Sequence, residues 1–264
     1  MFHLDYWESC SFKKQIWWYE PKSQDQENDQ EPIVALKMVT KIYPRNFMKN
    51  IPTIRNLCMD FKKGEIFAVM GTDGSGKSTF NETYIALYRY LLYASTTGTK
   101  DSITYCDEED IIWPHLTVEE HLYLFAILSG ISKESANSIT EELLKELGLE
   151  SNAKSNADHL SGGSKRKLCV ILSLLGNSRL VLLDEPTTGV DPLSKDILWR
   201  RLHLEFPPSK DRTLVLTTHS ASEAEDHCSR IGLLVNGSLK CSGTSQELKD
   251  KFSKRLPINS QIKI

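Results

Sequence analysis

Glu65-Ile66-Phe67-Ala68-Val69-Met70-Gly71-Thr72-Asp73-Gly74-Ser75-Gly76-Lys77-Ser78-Thr79 decides how this chain is read. The apolar run EIFAVM has the length and composition of a buried strand. The next eight residues, GTDGSGKS, fit G-x-x-x-x-G-K-[ST] at every fixed position, and a helical pattern runs on from Lys77 to about Tyr93. Strand, glycine turn and helix in that order make a cradle for phosphate. Gly71, Thr72, Asp73, Gly74, Ser75 and Gly76 form its wall, where backbone N–H groups converge on phosphate oxygens. The helix N-terminus adds partial positive charge. Lys77 supplies a full charge to the β- and γ-phosphates, Ser78 offers a hydroxyl to Mg²⁺, and Thr79 can add a phosphate hydrogen bond.

A second motif lies downstream. Val181-Leu182-Leu183-Asp184-Glu185 is an apolar strand ending in two carboxylates. Asp184 suits Mg²⁺, which prefers hard oxygen ligands and keeps its waters. Glu185 would then take the proton of the water that attacks the γ-phosphate. A positioned base is worth about 10²–10⁴ in rate.

The rest of the chain is ordinary globular material. It has 264 residues, 40% hydrophobic and 25% charged, with a formal net charge of −3. That excludes a disordered or collagen-like chain, and the lack of a basic surplus argues against a nucleic-acid partner. No apolar run approaches the length of a membrane helix. Leu168–Leu175 (LCVILSLL) comes nearest, and the first residues lack a signal-type apolar core. The six cysteines show no paired C-x-x-C spacing, so reduced cytosolic thiols are expected.

Residues 1–20 hold Trp7, Trp17 and Trp18 of the five tryptophans, with Tyr6, Phe12 and Tyr19 beside Lys13 and Lys14. They suit either a membrane–water interface or the cover of an apolar patch. Residues 21–32 (PKSQDQENDQEP) carry four carboxylates against one lysine and read as a solvated linker, with a domain boundary at about 32. From residue 33, short apolar strands alternate with amphipathic helices, which implies an α/β domain with a largely parallel sheet. Thr117/Glu120 and Thr244/Glu247 are helix-opening pairs, Ser132 and Gly148 bound another helix, and Asn236-Gly237 marks a hairpin.

Between the two phosphate motifs stands Leu160-Ser161-Gly162-Gly163, opening a helix to about Gly176. A hydroxyl and exposed N–H groups at a helix start form a second anion site. After the second motif come Gly189-Val190-Asp191 and, at a strand end, Thr218-His219-Ser220. This set, in this order, resembles the nucleotide-binding domain of ATP-binding cassette (ABC) transporters. The stretches LTVEEHL (116–122), GSKRKL (163–168) and DEPTTGVDP (184–192) look most like the A subfamily of lipid exporters. The resemblance covers about residues 33–250. It implies a P-loop fold of ABC type, with a mainly parallel sheet, a shortened antiparallel β subdomain, and a helical subdomain near residues 108–176 carrying the signature. It also implies that Ser161, Gly162 and Gly163 close over ATP held by another cassette, that His219 contacts the γ-phosphate, that Asp191 couples the two sites, and that Tyr43 stacks on adenine.

Four departures stand against that pattern. Asp73 replaces an asparagine and sets a carboxylate against the triphosphate, which should weaken nucleotide affinity. Asp107-Glu108 replace proline–glutamine. Glu108 can ligate Mg²⁺ but, ionised, cannot donate a hydrogen bond to the attacking water. The interval from Lys77 to Glu108 is short for the family, with Thr96–Ser102 running straight into a strand. One cassette is present, without a membrane span.

The expected function is an ATPase cassette that drives transport, with a lipid as the expected cargo. It would use ATP and Mg²⁺, pair with a second nucleotide-binding domain, and work at the cytoplasmic face of membrane domains. Asp73, Glu108 and the short interval motivate a rival: an ATP-binding regulatory module with low turnover. A soluble ABC protein of translation or DNA repair is a weaker third reading.

Overall fold

The computed structural model describes residues 16–17, 32–43, 52–94 and 103–253. The aromatic start, apart from the backbone of Ile16 and Trp17, lies outside them, as do most of the acidic linker and the Thr96–Ser102 segment. In chain order the elements are β1 (Ile16–Trp17), β2 (Pro32–Ile42), β3 (Pro52–Lys62), β4 (Ile66–Met70), α1 (Lys77–Ala94) and β5 (Ile103–Cys106). Then come α2 (Val118–Leu128), α3 (Lys133–Leu147), α4 (Gly162–Leu174), β6 (Leu180–Asp184) and α5 (Pro192–Glu205). The chain continues with β7 (Thr213–Thr218), α6 (Ala221–His227), β8 (Arg230–Val235), β9 (Ser238–Gly243) and α7 (Ser245–Ser253).

Two sheets result. A six-stranded sheet has the order β5-β6-β7-β4-β8-β9, parallel except for the β8–β9 hairpin. A smaller antiparallel sheet has the order β1-β2-β3. This is the α/β fold with a mainly parallel sheet that the alternation of strands and helices predicts, together with the antiparallel and helical parts that the family resemblance implies. The strands β4, β6 and β7 are buried almost throughout, as expected where helices or another sheet cover both faces.

The order of the large sheet positions the site. After β4 the chain crosses through α1 to the far edge strand β5, then returns through β6 and β7 to lie beside β4. Ligands in such sheets bind at the carboxyl ends of the strands, where the order reverses. The register brings those ends level: Asp184 lies opposite Thr217, and Met70 opposite Thr218.

Local chemistry sets the helix ends. The capping box at α2 is complete, with Thr117 N–H donating to the Glu120 carboxylate at 2.8 Å and Glu120 N–H to Thr117 Oγ1 at 3.2 Å. Ser132, Ser161, Asp191 and Ser220 each accept from the backbone N–H three residues on, at α3, α4, α5 and α6. Gly148 ends α3, and the Thr244/Glu247 pair opens α7 by the same reciprocal bonds as α2.

Two apolar clusters hold the layers together. One packs Leu122, Leu143, Leu147, Leu168 and Ile171 of the helices against Val181, Leu183 and Leu216 of the large sheet. The other lies between the sheets and includes Phe61, Phe67, Phe80, Tyr84, Leu182 and Val215. Phe61 and Phe67 meet edge-on, their ring centres 5.2 Å apart, a favoured geometry for ring quadrupoles. Phe67 is on β4 and Phe80 on α1, so this cluster roots both arms of the glycine turn.

Candidate functional site

The glycine turn sits between β4 and α1. Gly76 has φ +104, a left-handed conformation that a side chain would strain. Lys77 is buried, and its ammonium turns back into the turn, donating to the Gly71 carbonyl at 2.9 Å and the Thr72 carbonyl at 3.4 Å. It also lies 3.4 Å from Glu185 Oε1 and 3.9 Å from Asp73 Oδ1. Asp73 itself is fully exposed. Ser78 is exposed and Thr79 half-buried at the start of α1. Gly74 and Thr72 are exposed on the rim.

The acidic strand end faces this turn. Asp184 is wholly buried. Its Oδ1 accepts from the Thr217 hydroxyl, while its Oδ2 is buried without a partner. Ser75 Oγ, inside the turn, is likewise buried and unpaired. Buried polar atoms without partners are uncommon and call for an explanation. Here they mark where a ligand would complete the coordination: a carboxylate oxygen for a hard cation, and a hydroxyl in the phosphate cradle. Asp184, together with the Ser78 hydroxyl at the start of α1, is a donor set that fits Mg²⁺.

Glu185 has φ +46, unusual for a side chain this size and of the kind that clusters at functional sites. Its Oε2 accepts from the Thr188 hydroxyl at 3.2 Å and lies 2.9 Å from His219 Nδ1. Its N–H donates to Thr217 Oγ1 at 3.1 Å. Thr217 therefore does two jobs with one hydroxyl, donating to Asp184 and accepting from Glu185. The chain Lys77–Glu185–His219 joins the ends of three adjacent strands, and the His219 side chain is 59% exposed, so its imidazole is open to solvent at the site.

Ser161 caps α4, accepting from Ser164 N–H at 3.3 Å and donating to Ser164 Oγ at 3.1 Å. Gly162 has open space where a Cβ would be, whereas Gly163 packs near the Gly189 carbonyl. Asp191 caps α5 through Ser194 N–H at 3.0 Å, and its bonds to Ser194 hold its carboxyl below the usual range. Tyr43 donates to the Glu82 carboxylate on α1, and the Lys41 ammonium lies 5.0 Å from its ring centre. Glu108 is exposed, and its main-chain carbonyl accepts a 3.2 Å bond from Arg166. Within this chain, Lys77, Asp184, Glu185 and His219 form one constellation.

Three further contributors have no role assigned by a motif in the sequence, although Arg166 falls within the GSKRKL stretch. Thr217 is one. Gly237, at the tip of the β8–β9 hairpin, is the second: its N–H donates to the Ser75 carbonyl at 2.8 Å, and a Cβ there would fall 1.7 Å from the Thr53 carbonyl oxygen. The hairpin tip thus props the glycine turn. Arg166, buried on α4 with a bond to the Asp184 carbonyl, is the third. Only the Asn-Gly turn signal points to any of them, and it predicts a hairpin, not a support.

The ABC transporter family profile matches residues 54–188, just over half of the chain. The chain belongs to the ABC transporter family. Among curated relatives, the mouse ABC-type organic anion transporter ABCA8A is 41% identical over 221 residues, covering 81% of this chain and 14% of the relative. The mouse cholesterol transporter ABCA5 is 37% identical over 213 residues, covering 76% of this chain and 13% of the relative. This ABC cassette therefore spans about one seventh of the length of the curated relatives it matches. Among solved structures, a dimeric post-hydrolysis state of an ATP-binding cassette bound to ADP and Pi aligns with a TM-score of 0.67 at 26% identity. It covers 80% of this chain and 97% of that one. The A-subfamily resemblance read from the motifs agrees with these relatives. Five cysteines of the cassette lie among the described residues and all are free, and no helix there is long and apolar enough to cross a membrane.

Proposed function

We propose that this cassette binds Mg·ATP and hydrolyses it, and that it works as one of a pair of cassettes powering transport across a membrane. The observation that carries the reading is the meeting of three strand ends. A lysine-bearing phosphate turn, a buried carboxylate with one unpaired oxygen, and a second carboxylate held between lysine and histidine converge there.

The residues divide the work. Gly71 to Gly76 and Thr79 bind the phosphates, and Tyr43 stacks on the adenine. Asp184 and Ser78 would hold Mg²⁺, and Glu108, on the loop after β5, would supply a further carboxylate to it. Mg²⁺ there would neutralise charge on the β- and γ-phosphates. A triphosphate draws the Lys77 ammonium to itself and away from Glu185, so Oε1 of Glu185 becomes free to accept the proton of the attacking water. His219 keeps the other carboxylate oxygen in place and presents its imidazole to the γ-phosphate. Ser161 and the N–H groups of Gly162 and Gly163 lie on another element and act on ATP held by a second cassette. Asp191 couples the two sites.

Residues 33–264 are the cassette, with a helical subdomain near 108–176, preceded by an aromatic segment and acidic linker over 1–32. The cassette sits on the cytoplasmic face of membrane-spanning domains. The names of its relatives support a lipid or organic-anion cargo, and the A-subfamily motifs are the ground for taking lipid first. A dimeric neighbour bound to ADP and Pi supports pairing and turnover.

The test is thermal denaturation with Mg·ATP, coupled to a phosphate-release assay. At 100 times Kd a ligand stabilises by about 2.7 kcal/mol, or roughly 5–10 °C for a domain of this size. Wild type should show that shift and release phosphate. Glu185→Gln should keep the shift and lose release, and Lys77→Ala should lose the shift. A wild type that shifts without releasing phosphate is a binding module, not an ATPase.

A further inference from the structure

Arg166 lies five residues past Ser161 on α4, and its side chain is 4% exposed. Its two terminal nitrogens reach in different directions. Nη1 donates to the Asp107 carbonyl at 2.5 Å, the Glu108 carbonyl at 3.2 Å and Asp110 Oδ1 at 3.3 Å. Nη2 donates to the Asp184 carbonyl. A planar guanidinium can grip two backbones at once; a lysine ammonium at the end of a flexible stem cannot.

The Asp184 carbonyl belongs to the peptide that joins the buried carboxylate to Glu185. The N–H of the same peptide donates to Thr217 Oγ1 at 3.1 Å. This one peptide plane is therefore held from both sides, by Arg166 at the oxygen and by Thr217 at the nitrogen. Its tilt decides where the Asp184 carboxylate points and permits the left-handed φ of +46 at Glu185. The loop bearing Glu108 hangs from the other nitrogen of the same guanidinium.

We infer that Arg166 is a positioning residue that fixes the Asp184–Glu185 peptide and the Asp107–Asp110 loop in register with the serine-headed helix α4. The inference rests on the ATPase reading and deepens it. Any displacement of α4, whose first turn would engage a second cassette's nucleotide, passes directly to the peptide carrying the metal ligand and the base. The terminal nitrogens of Arg166 are taken up by protein oxygens, so it acts through the peptide and the loop it holds. Its loss should degrade metal placement and turnover while leaving most of the phosphate grip, which belongs to the glycine turn.

The experiment compares Arg166→Lys and Arg166→Met with Lys167→Met. Lys167 is the neighbouring buried cation and donates instead to the Leu147 carbonyl at 3.0 Å, not to the Asp184–Glu185 peptide or the 107–110 loop. Three quantities are read: amide exchange over residues 107–110 without nucleotide, Mn²⁺ affinity with ATP by loss of the free-ion resonance, and kcat against KM. Both Arg166 variants should exchange faster at 107–110, weaken Mn²⁺ by about tenfold or more, as supporting contacts to metal ligands do, and lower kcat with KM nearly constant. Lys167→Met should lower the melting temperature with Mn²⁺ affinity unchanged. If wild type binds nucleotide and Mn²⁺ but Arg166→Met retains both Mn²⁺ affinity and slow exchange, the inference falls alone. If Lys167→Met reproduces the Arg166 pattern, the effect is general destabilisation and the inference falls as well. A wild type that binds no nucleotide overturns the cassette reading and takes this inference with it.

Discussion

Thr217→Val removes one hydroxyl and keeps the shape of the side chain. In the structure that hydroxyl donates to Asp184 Oδ1 and accepts from Glu185 N–H at 3.1 Å, in a position with no exposure. A hydrogen bond to a charged group contributes about 1.5–3 kcal/mol and one to a neutral N–H about 1 kcal/mol. No cavity forms, because valine fills the same volume. The expected loss is therefore about 3 kcal/mol, read by urea denaturation as a lower midpoint with unchanged slope, and a fall in melting temperature of roughly 6–12 °C. Thr217→Ser keeps the hydroxyl and loses one methyl, which costs about 1 kcal/mol. The ordering Thr > Ser > Val is the signature. A valine variant within about 1 kcal/mol of wild type, or a serine variant as unstable as the valine one, would refute the view that this hydroxyl ties the two acidic residues to β7.

Asp73→Asn removes a carboxylate that lies 3.9 Å from the Lys77 ammonium and faces the phosphate cradle. Mg·ATP affinity should rise several-fold by calorimetric titration, and an unchanged or lower affinity counts against charge repulsion at this position. Gly237→Ala forces a left-handed alanine into the Thr53 carbonyl, so it should destabilise by more than about 2 kcal/mol and weaken nucleotide binding through Ser75. A stable variant with normal affinity would show that the hairpin tip is not a support. Burial pushes the Cys106 thiol up to about 11 and those of Cys169 and Cys228 to about 12, from an ordinary value of 9.0. Below pH 9 the thiols are protonated in both states. Above it the unfolded chain loses protons first, so stability falls as pH rises from 9 towards 11 and beyond, by up to about 1.4 kcal/mol per pH unit for each thiol. Cys169→Ala should flatten that decline in alkaline denaturation curves, and an identical slope would refute it.

The amino-acid order by itself determined the kind of fold, the phosphate turn, the acidic strand end and the family resemblance, because each is written in neighbouring residues. EIFAVM joined to GTDGSGKS is strand, turn and helix in one continuous stretch, and the caps at Thr117, Ser132, Ser161 and Thr244 act within three residues of themselves. Local geometry has little freedom once such residues are placed. What only the tertiary structure decided is which strand ends become neighbours, and therefore which side chains serve the site without belonging to a motif. Asp184 reaches Thr217, and Ser75 rests on Gly237, because β6, β7, β4 and β8 lie side by side in an order unlike their order along the chain. Arg166 is identified in the same way. The GSKRKL stretch marks the family but assigns Arg166 no role, and only burial beside two backbone segments makes it a clamp. Hydrogen bonds to main-chain carbonyls leave no mark in the identity of the residues that accept them, so these contacts are decided by packing alone.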